Sequence, residues 1–110
     1  MTMRTFEGIE FVVIALKKYL IKHYGGKIKQ VVVYGSFARN EATEESDIDI
    51  LIVIADDLHP YNVRQNLSDI LLDILLENNE LISIIVVVES DFRNSSSEFL
   101  STVKKEGILI

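Results

Sequence analysis

Apolar positions along the chain change their period several times, and each change marks an element. From Thr5 to about Tyr24 they recur as Phe6, Ile9, Val12, Val13, Leu16 and Leu20. That one-sided spacing predicts a helix with Lys17, Lys18 and Lys22 on its wetter face or in its last turns. Gly25-Gly26 follows, as expected just past a helix C-terminus. Ile28 to Tyr34, built around Val31-Val32-Val33, predicts a short strand that Gly35-Ser36 breaks sharply. Phe37 to Asn40 suits one helical turn, and Glu41 to Ser46 a polar, acidic loop.

A second strand is expected from Asp47 to Ile54, where Asp47 and Asp49 alternate with Ile48 and Ile50 before a continuous apolar run. Pro60 sits where a first helical turn begins. Val63, Leu67, Ile70, Leu71, Ile74 and Leu75 give that helix its stripe, and Asn78-Asn79 close it. Leu81 to Val88 is the most apolar strand and is expected inside the sheet. Ser95 to Lys105 reads as a short last helix ended by Gly107. The order is helix, strand, strand, helix, strand, helix: an α/β (α+β) layer with a small mixed sheet of three to four strands flanked by helices. With 110 residues and no repeat, low-complexity segment or linker, the expectation is one domain over residues 1–110.

Composition narrows the function. Net charge is -6, with Lys17-Lys18 and Lys104-Lys105 as isolated basic pairs, so direct nucleic-acid binding is not expected. Cysteine is absent, which excludes disulfides and thiolate metal sites. His23 and His59 lie far apart with no ligand spacing and read as surface residues. The apolar runs are too short to span a bilayer and no signal peptide precedes the first helix, so a cytoplasmic location is expected. Hydrophobic residues make up 48% of the chain. Either a well-filled core or surface covered by a second copy or a partner accounts for that. Phe92, Phe99 and the tyrosines, without a basic groove, read as core or interface rather than as base-stacking residues.

Ser46-Asp47-Ile48-Asp49 is the most informative segment. Strand residues two apart point to one face, with Cα atoms roughly 7 Å from each other. Two carboxylates placed so repel each other unless a hard cation such as Mg lies between them; the alternative is a solvated strand entrance. Gly35 lets the backbone approach a ligand closely because no Cβ intrudes. Ser36 offers a hydroxyl and an N–H, and the turn after it can aim further N–H groups at an anion. A plain strand-to-helix turn with Ser36 as N-cap is the other reading.

Taken together, Gly35-Ser36, ten residues from Phe37 to Ser46, and Asp47-Ile48-Asp49 resemble the signature of the minimal nucleotidyltransferases, small members of the DNA polymerase beta-like superfamily. The likeness extends through Gly35-Ser36-Phe37-Ala38-Arg39-Asn40-Glu41-Ala42 and Ser46-Asp47-Ile48-Asp49-Ile50-Leu51-Ile52-Val53, and the order of elements is the family's over the whole chain. The resemblance implies a nucleotidyltransferase-like fold, a triphosphate (ATP) held at Gly35 and Ser36, and Mg2+ bound by Asp47 and Asp49 as the catalytic pair. Many members accompany a HEPN-domain toxin as its antitoxin, some by transferring AMP to it, so a HEPN-type partner is implied here. Arg39 matches an arginine common in the motif and either steadies a phosphate or pairs with Glu41 or Glu44. Two positions depart from the pattern. Asn40 stands where glycine is usual, a mild change because asparagine tolerates the left-handed conformation. The third carboxylate that active relatives carry on a later strand is not found, the polar residue of the expected strand being Ser83. A catalytic transferase and a nucleotide-binding module that neutralises its partner without chemistry are therefore both carried forward.

Overall fold

The computed structural model describes residues 3–110. Helix α1 (Phe6–Tyr24) buries Ile9, Val12, Val13, Leu16 and Leu20, the face the spacing predicts, and Thr5 caps its start by accepting from the Gly8 N–H. Gly25, at φ 57, ends it by donating its N–H to the Ile21 carbonyl. After one 3-10 turn (Gly25–Lys27) come β1 (Ile28–Tyr34) and β2 (Ile48–Ile54). Helices α2 (Pro60–Asn66) and α3 (Ser68–Asn78) lead to β3 (Ile82–Val88). Helix α4 (Glu89–Asn94), α5 (Glu98–Glu106) and a two-residue strand β4 (Ile108–Leu109) complete the order.

The four strands form one mixed sheet in the order β3-β2-β1-β4. Strand β1 runs antiparallel to β2 and β4, while β2 and β3 are parallel. The α2–α3 pair makes the crossover that a parallel connection requires. Helices α1, α2 and α3 cover one face, where Ile48, Ile50, Ile52 and Ile54 of β2 meet Val31 and Val33 of β1 and the α1 stripe. On the other face Val32, Leu51 and Val53 pack against Leu100 and Val103 of α5. Strand alternation puts Asp49 and Tyr34 on this second, more thinly covered face.

Three expectations are corrected. Strand β3 lies at the sheet edge, not inside. Strand β2 holds the interior seat, and β3 leaves Leu81 and Ile85 of its apolar run exposed. The helix expected to run from Pro60 to Asn78 breaks at Leu67. There the Asn66 carbonyl accepts from Tyr19 Oη, its side-chain amide donates to Tyr24 Oη, and Ser68 Oγ donates to the Gln65 carbonyl. Polar side chains bonded locally compete with helix continuation; Leu75, placed in the buried stripe, is consequently exposed. The segment after β3 holds two helices rather than one, and the apolar C-terminal residues pair as β4 along β1.

Gly107 sets how closely α5 lies on the sheet, because a Cβ there would overlap Val32 Cγ1 and the Val103 carbonyl. Gly107→Ala is expected to destabilise the chain by about 1–3 kcal/mol through overpacking, measured as a lower urea midpoint.

Candidate functional site

The β1–β2 register pairs Tyr34 with Asp49, so the carboxylate of β2 is delivered over the residue that follows Tyr34. Gly35, at φ 76, turns the chain away there, and its missing side chain is where Asp49 lies: a Cβ built on it would overlap Asp49 Oδ2. Glycine is required twice over at this position, by conformation and by space. Beyond it the chain coils tightly, with the Arg39 N–H donating to the Gly35 carbonyl and the Glu41 N–H to the Ser36 carbonyl. Asn40 completes the turn at φ 59, in the left-handed conformation expected of it. No regular helix follows Gly35-Ser36; the expected helical turn is present as this coil. Among the described residues, the N–H groups of Ser36, Phe37 and Ala38 and the Ser36 hydroxyl take no part in its hydrogen bonds.

Asp49 is half-buried and Asp47 exposed at the strand entrance. Burial, then the neighbouring Asp47 charge, holds the Asp49 carboxyl above its ordinary value of 3.8, with Arg39 opposing them. The Tyr34 hydroxyl is likewise raised, by burial first and by Asp49 second. Burial is the main cause of both shifts, and the Asp47 and Asp49 charges add to it. Among the described residues no third histidine or acid joins the pair as a metal cluster. Ser83 lies beside Asp49 in the parallel β2–β3 register, which is where a third carboxylate would face the pair.

A cleft of about 270 Å³ opens beside Asp49, lined by Tyr34, Gly35, Asp49 and Arg39 from the sheet side and by Phe99, Thr102, Val103 and Glu106 from α5. Of the expected site residues it brings together Gly35, Asp49 and Arg39; Ser36 and Asp47 lie next to its lining. Arg39 sits at the mouth, its Nε donating to Glu41 Oε1 at 2.7 Å and its Nη1 3.6 Å from Glu106 Oε2. Of the pairings weighed for it, the one to Glu41 forms, and Glu106 is an addition. The contributions of Tyr34, Phe99, Thr102 and Glu106 escaped the sequence reading. The available signal was the stripe 99-102-106 on α5, at helical spacing and adjoining buried Leu100 and Val103. A larger groove of about 460 Å³ between α1 and β4 is walled mainly by Phe6, Ile14, Ile21 and residues 108–110; it has none of these convergent acids and turn N–H groups. His23 packs against Tyr19 with the ring planes tilted at 45°, and His59 precedes α2; neither lines the cleft.

Gly35→Ala is expected to cost about 1–3 kcal/mol, from φ strain and displacement of Asp49, measured as a lower urea midpoint. The folded chain holds the Asp49 proton more tightly than the unfolded chain. Stability from this group is therefore full below the ordinary carboxylate value of 3.8 and declines as pH rises through the higher folded value. Asp49→Asn, without metal, should stabilise the chain at neutral pH by a few tenths of a kcal/mol, solvent screening keeping the gain small. Urea unfolding near pH 4 and pH 7 should show that gain only at the higher pH.

Residues 13–110 match the family model for the nucleotidyltransferase domain. A candidate protein adenylyltransferase of Methanocaldococcus jannaschii is 40% identical over 72 residues, 63% of this chain and 71% of the relative. The protein adenylyltransferase MntA of Thermococcus cleftensis is 44% identical over 52 residues, 47% of this chain and 50% of its own length. Against that second relative the match spans half of the relative's length. A toxin–antitoxin complex crystallised with AMP-PNP superposes with TM-score 0.57 at 18% identity, covering 84% of this chain and 68% of that one. A MntA-HpeT complex carrying two aspartate-to-glutamate replacements two positions apart superposes with TM-score 0.55 at 16% identity, covering 86% and 69%. At those identities the likeness is one of fold. Because the family model spans residues 13–110, the chain belongs to the nucleotidyltransferase domain family, as one of its minimal members.

Proposed function

We propose that this chain transfers AMP from ATP, with Mg2+, to a hydroxyl of a partner protein, and that the partner is a HEPN-type toxin which it thereby restrains as an antitoxin. The observation that carries the reading is Asp49 lying in the space left by Gly35, one residue from a turn with unused N–H groups. The relatives' names, protein adenylyltransferase, and the toxin–antitoxin complex with a nucleotide analogue support the choice of reaction and partner.

The residues present suit a divalent cation: two carboxylates two residues apart on one strand, the half-buried Asp49 raised first by burial and then by the Asp47 charge, with Arg39 only partly opposing. Asp47 and Asp49 would hold it. When bound, such an ion supplies the positive charge that phosphoryl oxygens need during displacement. The turn N–H groups and the Ser36 hydroxyl bind phosphate oxygens, and Gly35 lets the backbone come close. Arg39 gives up Glu106 to steady the triphosphate, exchanging one anionic partner for another. Holding the nucleotide in this fixed frame is the main contribution that a transferase of this kind makes to rate.

The second reading, a nucleotide-binding module that neutralises its partner by covering it, is favoured by one observation. Ser83, not an acid, stands beside Asp49, and a neutral hydroxyl is a poor base for an attacking acceptor.

Incubated with MgATP and a HEPN-type toxin that it binds, the purified chain is expected to add a nucleotide-sized mass to that toxin. Asp47→Asn with Asp49→Asn should abolish the addition in intact-protein mass spectrometry. A mass shift that persists in the double variant removes the transfer mechanism. An unmodified but inhibited partner, with wild type and variant equally protective, establishes the second reading.

A further inference from the structure

Helix α5 divides its side chains between two tasks. Leu100 and Val103 are buried against Val32, Leu51 and Val53, whereas Phe99, Thr102 and Glu106 share the adjoining stripe and face the cleft beside Asp49. On that stripe Phe99 is out of place as a core residue, being 42% exposed while its neighbour Leu100 is 7% exposed. Its ring is nevertheless fixed. Tyr34 and Phe99 form a T-shaped pair, centroids 5.3 Å apart and planes at 84°, which orients the two rings while the half-exposed Phe99 ring lines the cleft.

Tyr34 directly precedes Gly35, so the aromatic corner and the anion-binding turn are consecutive along one backbone and line one cleft. The cleft is thus graded, with π surface at Tyr34 and Phe99 and a polar end at Gly35, Asp49 and Arg39. A nucleotide is graded in the same sense, from a flat base to a charged phosphate chain. We propose that the Tyr34–Phe99 corner is a nucleobase subsite, in which the ring of Phe99 stacks the base of a nucleotide whose phosphates lie against the Gly35-Ser36 turn. This rests on the nucleotide-binding reading above and adds to it the group that grips the base. The ligand is a mononucleotide: the chain carries a net charge of -6, and the stretched backbone of a nucleic acid needs a basic track.

Stacking contributes to the base and nothing to the phosphates, which supplies the test. MgATP and magnesium tripolyphosphate are titrated calorimetrically into wild type and Phe99→Ala. The variant is expected to bind MgATP about 5- to 150-fold more weakly, the range of a lost base–aromatic stack, and to bind tripolyphosphate unchanged. Phe99→Trp should keep MgATP binding. As the chain has no tryptophan of its own, its fluorescence should be quenched by MgATP and not by tripolyphosphate. Should the alanine variant fail to fold, Phe99→Leu, which keeps bulk without a π face, carries the same expectation. Wild-type and variant affinities for MgATP that agree would overturn the subsite and leave the nucleotide-binding reading standing. Equal weakening of both ligands would also overturn it, since the ring would then be shaping the turn. A wild type that binds neither ligand would overturn the underlying reading itself.

Discussion

The site depends on one steric exchange: the volume that a side chain at position 35 would fill is given to the carboxylate of Asp49. The antiparallel register that sets Tyr34 opposite Asp49 makes the exchange possible. A slip of one residue would send every β2 side chain to the other face. Asp49 would enter the apolar layer under α1, and Ile48 and Ile50 would emerge under α5. Burying an unpaired carboxylate among those isoleucines is costly enough that the hydrophobic pattern enforces the register. The core thus specifies the position of the acid, and the glycine admits it.

The elements that build this exchange were legible because their signals are local. The stripe of α1, the Val31-Val32-Val33 strand and the Asp-Ile-Asp alternation each declare a period within a few residues. The Gly35-Ser36 break and the acids after it carried the family's pattern. What was illegible depended on partners distant in sequence. The helix breaks at Leu67 although the apolar stripe runs on through that buried residue, and it does so where Tyr19 and Tyr24, on another helix, engage Asn66. The β3 run looks interior, yet apolar composition does not distinguish a strand covered on both sides from an edge strand whose Leu81 and Ile85 stay exposed. Phe99 was indistinguishable from a core aromatic until the T-shaped contact with Tyr34 set it at the cleft.

Electrostatics explains why an acidic chain can offer an anion site at all. The overall field repels a triphosphate, and the two aspartates add to that locally. In the proposed reading, attraction would come from short-range sources: the turn N–H groups, Arg39, and a cation held by the carboxylates. Arg39 is not idle meanwhile, since Glu41 and Glu106 occupy its donors. An arginine already paired is held in place without being buried, and its salt bridges, being exposed, cost little to exchange.

Binding and turnover make different demands on this frame. In the proposed reading, gripping a nucleotide needs the turn, the acid pair and a surface for the base, of which Gly35, Arg39, Asp49, Tyr34 and Phe99 line the cleft. Activating an acceptor hydroxyl needs a further base near the pair, and the register places the Ser83 hydroxyl there. In the proposed reaction, acceptor deprotonation therefore falls to Asp47 or Asp49 themselves, acting between their charge and the phosphate. Burial and mutual repulsion hold the Asp49 proton more tightly than water does, which makes this carboxylate a stronger base than an isolated aspartate whenever it is ionised. A cation lowers that basicity as it binds. The same pair is thus asked to serve as ligand and as base, and the two roles oppose each other. Binding without turnover would follow wherever the ligand role dominates.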